Sequence, residues 1–429
     1  MAETSDSQTA SNDTSIGGGL LSYAASSKGN GLLKTLGLAD LLFFGIMNIL
    51  GSGGPNLAGH AVVAAGSWWP AHIAGAAGLL LGSSKTYADA ATTFKTNDAE
   101  GRLIESEMGS GGRIAASAAI VLFNISSIAI GLVFITRIFY PQANFAFQVM
   151  LALQLAILLI AVGLYGIEIN KTIIDSIGAL CIGVIGMFGV LGVYKFFTAG
   201  PPQNMVTAVG PAFHPVRAFL YMFFILAGVD IIIKYTEETV DQNDIPRAFY
   251  GSTIISSFLL GALCLAFIAY VPLRGMRHFD NIFANIAKYA FGDNEAEIMK
   301  WVAAGFILVS SLVNYVGLSR YVYSGIKGTI FEEWRDLNSA KAPWKILLGL
   351  GAVMMGFIVM NNVDKLVAVA DLLLVGVLAA VSWSAARRAL KEGKRPFVET
   401  GTTLGLFGVG GAAVWQLLQR AGHGFDVAN

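Results

Sequence analysis

Eleven stretches of the chain are apolar for long enough to cross a bilayer as helices, which takes about 20 residues at 1.5 Å each. They lie near 38–65, 67–92, 113–140, 144–165, 171–198, 215–238, 248–272, 298–327, 344–361, 364–389 and 400–419. Polar residues concentrate between them, and nowhere does the strict in–out alternation of barrel strands run on. Gly, Ala and Ser recur inside the stretches, as close helix–helix packing in a membrane requires. The pattern therefore predicts an all-α polytopic membrane protein. The first thirty or so residues, rich in Ser, Thr, Asp and Gly, read as a disordered tail. They have neither the basic start nor the apolar centre of a signal peptide.

Composition agrees. Of 429 residues 55% are hydrophobic and 13% charged, against about 25% charged in soluble proteins. With 28 basic and 28 acidic residues the net charge is zero, so there is no basic footprint for nucleic acid. Cys181 and Cys264 both lie in apolar runs and imply no disulfide framework. With a cytoplasmic N-terminus, 18 of the 28 Lys and Arg fall on or near the inner side and 9 on the outer, leaving Lys85 within the second span. This bias favours that orientation, in the plasma membrane, and an odd number of spans then puts the C-terminus outside.

Two spans carry breaks. The first contains Gly51-Ser52-Gly53-Gly54-Pro55 at its middle. Such a cluster interrupts regular helix and offers the N–H groups of a half-helix to a carboxylate. The sixth contains Ala227-Gly228-Val229-Asp230, and an acid within a span is a functional candidate. Two readings of Asp230 fit: it receives a substrate amine, a proton or a cation, or it pairs with Lys234 four residues on. Discontinuous helices at matching places in two halves point to an inverted-repeat transporter with its substrate at mid-membrane.

These residues resemble a family. Gly51-Ser52-Gly53 resembles the first-span motif of the amino acid–polyamine–organocation (APC) superfamily. Ala227-Gly228-Val229-Asp230, then Glu237-Glu238 and Asp244-Ile245-Pro246-Arg247, are similar to its sixth-span signature. Asn314 and Ser319-Arg320-Tyr321-Val322-Tyr323 resemble its eighth. The resemblance implies the leucine-transporter fold, a five-plus-five inverted repeat. Its bounds would be a tail at 1–34, repeats at 35–198 and 199–395, and a peripheral eleventh helix and tail at 396–429. It implies a secondary active transporter, symporter or antiporter, that carries an amino acid or polyamine by alternating access. Carried over by motif, Gly51, Ser52, Gly53 and Gly54 would hold the substrate carboxylate; Ala227, Gly228 and Asp230 would face its amine, with Asn314 lining the site. Three departures stand out: Gly54-Pro55-Asn56 replaces an aliphatic–aromatic pair, Val229 replaces an aromatic, and the fifth span has Asp175 and Ser176 but no lysine beyond Lys171.

Glu237, Glu238 and Arg320 are candidates for an inner gate, with Lys34 and Lys327 as further partners; a solvated turn is the alternative, favoured for Asp241. Ser310 and Ser311 are candidate Na⁺ ligands, since hydroxyl oxygens suit a hard cation, although serines also bond helices together. Three couplings fit: H⁺ through Asp230, Na⁺, or amine exchange without an ion; no cofactor is implied. His60, Asn124, Ser126 and Ser127 read as packing or helix-bridging residues before substrate contacts, Tyr315 equally as a site-lining or a packing residue, and His72 as interfacial. Segment 273–297 reads as an outer lid or a passive cap. An ion channel or a transport-inactive sensor or scaffold are the alternative functions; no catalytic set converges for an enzyme. An accessory subunit or a homo-oligomer is left open.

Overall fold

The computed structural model describes residues 31–199, 214–272, 275–276, 281–360 and 363–422, without the side chains of Ser52, 363–368 and 417–422. The predicted N-terminal tail and part of the 273–297 lid lie outside these residues. Helices occupy each of the eleven apolar stretches: α1 Leu38–Ala65, α2 Trp69–Phe94, α3 Ala99–Phe139, α4 Phe145–Leu164, α5 Ile167–Ala199, α6 Pro215–Glu238, α7 Asp244–Tyr270, α8 Asp293–Gly325, α9 Trp344–Met360, α10 Val363–Lys391 and α11 Phe397–Gly422. A short helix, Ile282–Ala290, precedes α8 and buries Phe283 between Phe188 and Phe306. No strand is formed among the described residues; Leu36 and Thr239 make an isolated bridge.

Eight helices are long and apolar enough to cross a membrane as they stand. The stretch Leu38–Phe94 is a bent pair, and Trp344–Met360 has only 17 residues. The helix ends follow local chemistry. Asp40 in the first turn of α1 accepts from the Gly37 N–H at 2.7 Å, where the helix dipole favours an acid. Asn144 caps α4 by accepting from the Phe147 N–H at 2.9 Å, a preferred N-cap residue in its usual role.

Helix α3 departs most from expectation. It starts fourteen positions before the predicted 113, and its 41 residues would stretch about 60 Å if straight, twice the hydrocarbon core. Gly109 resolves this. Its φ of 77° breaks the helix at a conformation glycine adopts without penalty. Arg113 then reaches Asp98 at 2.5 Å and the Gly325 carbonyl at 3.0 Å. The segment before the kink, Ala99–Met108, is thereby held against the end of the bundle, with Glu100 fully buried.

At the centre, α1 packs against α6, α7 and α8, and α8 also against α3 and α5. Lys85, which the charge count placed on neither side, is paired with Glu399 of α11 and with Asp89 at 3.1 Å.

Candidate functional site

The sixth span changes character where the sequence marks it. It is α-helical over Pro215–Leu226 and a 3₁₀ helix over Ala227–Glu238, a twelve-residue run where three or four are usual. Gly228 sits at this junction. A Cβ there would lie 2.9 Å from Asn48 Nδ2 and 3.0 Å from the Asn48 carbonyl oxygen, so α6 approaches α1 only because position 228 has no side chain. Asn48 donates to the Gly228 carbonyl at 2.7 Å. Asn314 of α8 donates to Asn48 Oδ1 and, at 3.3 Å, to the Ser310 carbonyl. One polar bridge thus joins α1, α6 and α8 at the level of the junction.

The break in α1 takes a different form from the one expected. The helix continues through Gly51–Asn56, and the chain bends by 51° between Leu38–Gly51 and the helical run Gly53–Phe94. Pro55 removes only the one N–H that would answer the Gly51 carbonyl. The glycines serve close packing. A Cβ on Gly51 would strike the Ser310 side chain and lie 3.0 Å from the Phe306 carbonyl oxygen, and one on Gly53 would lie 3.1 Å from Ile225. The Ser52 hydroxyl lies outside the described residues, and Gly54 has only Leu50 of its own helix nearby.

Of the two readings of Asp230, the pairing with Lys234 is observed. Its Oδ2 accepts from Lys234 Nζ at 2.5 Å, so the pair forms. Its Oδ1 is buried with no partner, and an unanswered buried acceptor is costly. Lys234, fully buried, also donates to Asn124 Oδ1 of α3 at 3.2 Å. Asn124 thus bridges α3 to the Asp230–Lys234 pair, the interhelical hydrogen bonding expected of it. Ala227 is buried at the junction.

Below Asp230 along α6 lies a second charged layer. Arg320 Nε donates to Glu238 at 3.2 and 3.4 Å, with both residues buried. The Glu238 carbonyl accepts from Thr35 and Leu36 N–H, each at 3.0 Å, which fastens the chain before α1. Glu237 Oε1 accepts from Ser324 at 2.6 Å, Thr96 at 2.8 Å and the Asn97 N–H at 3.3 Å. Asp241 organises its own turn through Asn243, as the solvated alternative predicted.

Other candidates separate. Ser310 Oγ is buried without a partner and faces Gly51 of α1, whereas Ser311 Oγ faces Gly131 of α3, each about where a Cβ on that glycine would reach it, at 3.0 and 3.1 Å. The two hydroxyls point toward different helices. Tyr315 donates to the Leu347 carbonyl of α9 at 2.5 Å, a packing role. His72 bonds the Trp68 and Pro215 carbonyls at 2.7 and 3.1 Å. Lys171 pairs with Asp40 at 2.8 Å.

Sequence reasoning missed Asn48 and Glu100. Asn48 was visible as the one amide in the apolar run Leu41–Leu50. Glu100 precedes the predicted third span and gave no such signal.

Residues 36–418 match the model of a family described as amino acid permease. The chain belongs to the amino acid permease family. No curated protein matches it in sequence. Among solved structures, MhsT in complex with L-phenylalanine is similar at a TM-score of 0.58, with 11% identity over 91% of this chain and 99% of that one. The nucleobase-cation-symport-1 family transporter Mhp1 is similar at 0.54, with 14% identity over 85% of this chain and 81% of that one. At such identities the likeness concerns the fold, which is that of leucine-transporter-like secondary transporters. The permease is an integral, multi-pass membrane protein, and its relatives are transporters rather than enzymes.

Proposed function

We propose that this permease carries an amino acid or a polyamine by alternating access, with the substrate amine at Asp230. The free Oδ1 of Asp230, buried beside the Asn48–Gly228–Asn314 bridge, is the observation that carries this reading. An ammonium group answers that oxygen, and a charge-assisted hydrogen bond is the strong kind in a buried site. The substrate carboxylate, where there is one, meets the N–H groups of Gly51–Gly54 once α1 opens at its bend. A polyamine leaves that cradle idle and relies on Asp230 alone.

Residues 35–198 and 199–395 act as the two repeats, and the Glu237, Glu238 and Arg320 layer closes the inner end. The N-terminus lies in the cytoplasm, and the protein works in the plasma membrane. Among the described residues no group of three or more His, Cys, Asp or Glu is arranged to hold a metal ion. Ser310 is the hydroxyl on the α1 side for a sodium ion.

A competition uptake screen in proteoliposomes, with amino acids and polyamines at fixed excess, identifies the substrate. Asp230→Asn is expected to reduce its uptake by about 10- to 100-fold, the equivalent of one lost charge-assisted bond of roughly 1.5–3 kcal/mol. Unchanged uptake and affinity in that variant would remove Asp230 from the site. If wild-type protein carries nothing and passes single-channel currents, the channel reading replaces this one.

A further inference from the structure

A groove in the side wall of the bundle lies apart from the site described above. It has a volume of about 560 Å³ and runs between α2, α7 and α11. At its floor α2 meets α11, so closely that a Cβ on Gly82 would strike the Thr402 hydroxyl. Gly78 of α2 and Gly401 of α11 also line it, and a Cβ on either would meet nothing within 4 Å. Leu79 and Leu81 of α2 and Phe397 of α11 make its walls apolar. Two further lining residues are polar, Lys85 of α2 and Tyr250 of α7. Lys85 is held by Glu399 and, at 3.1 Å, by Asp89. This cluster carries one positive and two negative charges. Its side chains are 37% exposed at Lys85, 10% at Glu399 and 64% at Asp89, so the uncovered part is an acid. Glu399 stands in the first turn of α11 and Asp89 near the end of α2. The α2–α3 turn that follows binds Glu237, which puts the cluster at the end of the bundle that carries the Glu238–Arg320 layer. The groove is thus charged near the membrane surface and apolar toward the membrane interior.

We propose that this groove binds one phosphatidylethanolamine molecule from the bilayer leaflet at that end. Contact with an acyl chain does not select the lipid, because lipid tails are as apolar as the leucines they would meet. The headgroup has to do so, and the charge of the cluster says which one. A primary ammonium brings a positive charge and three N–H donors. It answers Asp89 with a charge-assisted hydrogen bond and offsets the excess negative charge. The lipid phosphate accepts from Lys85 and from the Tyr250 hydroxyl, so that charges of opposite sign alternate from Glu399 through Lys85 and the phosphate to the ammonium and Asp89. An acyl chain lies over Gly78, Leu79 and Gly401, where the missing side chains leave room. Phosphatidylcholine brings the charge but no N–H donor, and phosphatidylglycerol brings only an anion to a cluster that is already negative. The bound lipid ties α11 to α2 and α7. None of these residues takes part in the substrate site, so the inference stands apart from the reading of Asp230.

The test uses the full chain in detergent, stripped of lipid and titrated with phosphatidylethanolamine, phosphatidylcholine or phosphatidylglycerol of one acyl composition. Native mass spectrometry counts the lipids retained by each chain, and thermal unfolding reads the stabilisation that binding confers. The wild type should retain one phosphatidylethanolamine, preferred by up to about fivefold over either other lipid, the upper worth of an exposed ion pair. Asp89→Asn should bind all three alike. Gly401→Phe fills the groove from α11 and Gly78→Phe fills it from α2, each into open space. Both should lose the retained lipid and the stabilisation by added phosphatidylethanolamine, whereas Gly401→Ala should keep them. Cooperative melting of each variant without lipid shows that it is folded. Equal retention of the three lipids by the wild type, or a preference for phosphatidylglycerol, overturns the proposal. So does a lipid retained in both Phe variants, or a second copy of the chain bound where the lipid should be.

Discussion

Two acidic layers lie along the same 3₁₀ stretch of α6, and they differ in how completely their acceptors are answered. In the Glu237–Glu238 layer the acceptors are filled: Glu238 has Arg320, whose own Nη2 is left over, and a single oxygen of Glu237 takes three donors from the α2–α3 turn and α8. In the Asp230 layer, one oxygen of Asp230 and both of Glu100 go without partners. Glu238, Asp230 and Glu100 are all buried and Glu237 is half-buried, so between the buried acids the difference is one of saturation. Native buried polar groups are nearly always hydrogen-bonded, and a filled network fixes one arrangement whereas a half-filled one is unstable until something completes it. The filled layer is suited to holding the end of the bundle shut. The unfilled one is suited to taking up ligands that come and go.

The strongest way to break this comparison is to unsaturate the filled layer. Arg320→Met leaves the buried Glu238 carboxylate without its partner, and removing one member of a buried pair typically costs about 3–5 kcal/mol. A large fall in the thermal unfolding midpoint in detergent is expected. The double variant Glu238→Leu with Arg320→Met should recover most of it, because apolar replacement of both partners is often close to neutral. If the single variant melted with the wild type, the pair would not be holding the layer together.

A smaller effect is expected at the bridge that joins the two halves of the comparison. Asn48→Ala takes away the donor to the Gly228 carbonyl and the acceptor for Asn314. Leaving these groups unanswered should cost about 1–3 kcal/mol. Asn314→Ala removes one of the same bonds, so the double variant should fall short of the sum of the singles, the sign of direct coupling. Additive losses would mean that the two amides do not act as one bridge.

These features were legible in the sequence to different depths. The positions of the helices follow from the apolar runs, and α6 at 215–238 was read to the residue. The start of α3 was not, because Ala99–Met108 carries Glu100, Arg102, Glu105 and Glu107 and a hydropathy reading stops at charge. Only the kink at Gly109 turns those charges inward, against Asp98, Arg113 and the ends of α6 and α8. Asp230, Glu238 and Arg320 stood out as charges within apolar context, which is costly and therefore informative. Their partners did not stand out, since Arg320 and Glu238 are 82 residues apart. The α1 motif was read for its backbone freedom, whereas the structure uses Gly51 and Gly53 for close approach to α8 and α6. Both uses follow from a missing side chain, and the pattern of residues along one helix does not distinguish them. Nor does sequence announce the 3₁₀ winding of Ala227–Glu238, which depends on what Asn48 and its neighbours offer the freed carbonyls.

The finest distinction lies within the filled layer, at Glu237. All three donors converge on its Oε1, and Oε2 is not among the buried atoms left without a partner. In Glu237→Gln the amide oxygen can take the place of Oε1 and keep all three bonds, while the new NH₂ group takes the place of Oε2 without forcing a buried orphan. What is lost is the charge, and hydrogen bonds to a neutral acceptor are weaker than those to an ionised one. The expected cost is about 1 kcal/mol, well under that of Arg320→Met. Glu237→Ala should cost more than Glu237→Gln, because Thr96, Ser324 and the Asn97 N–H then all lose their acceptor. Thermal unfolding of the two variants side by side checks this. If Gln destabilised as much as Ala, the negative charge rather than the converging hydrogen bonds would be holding α2, α6 and α8 together at this end.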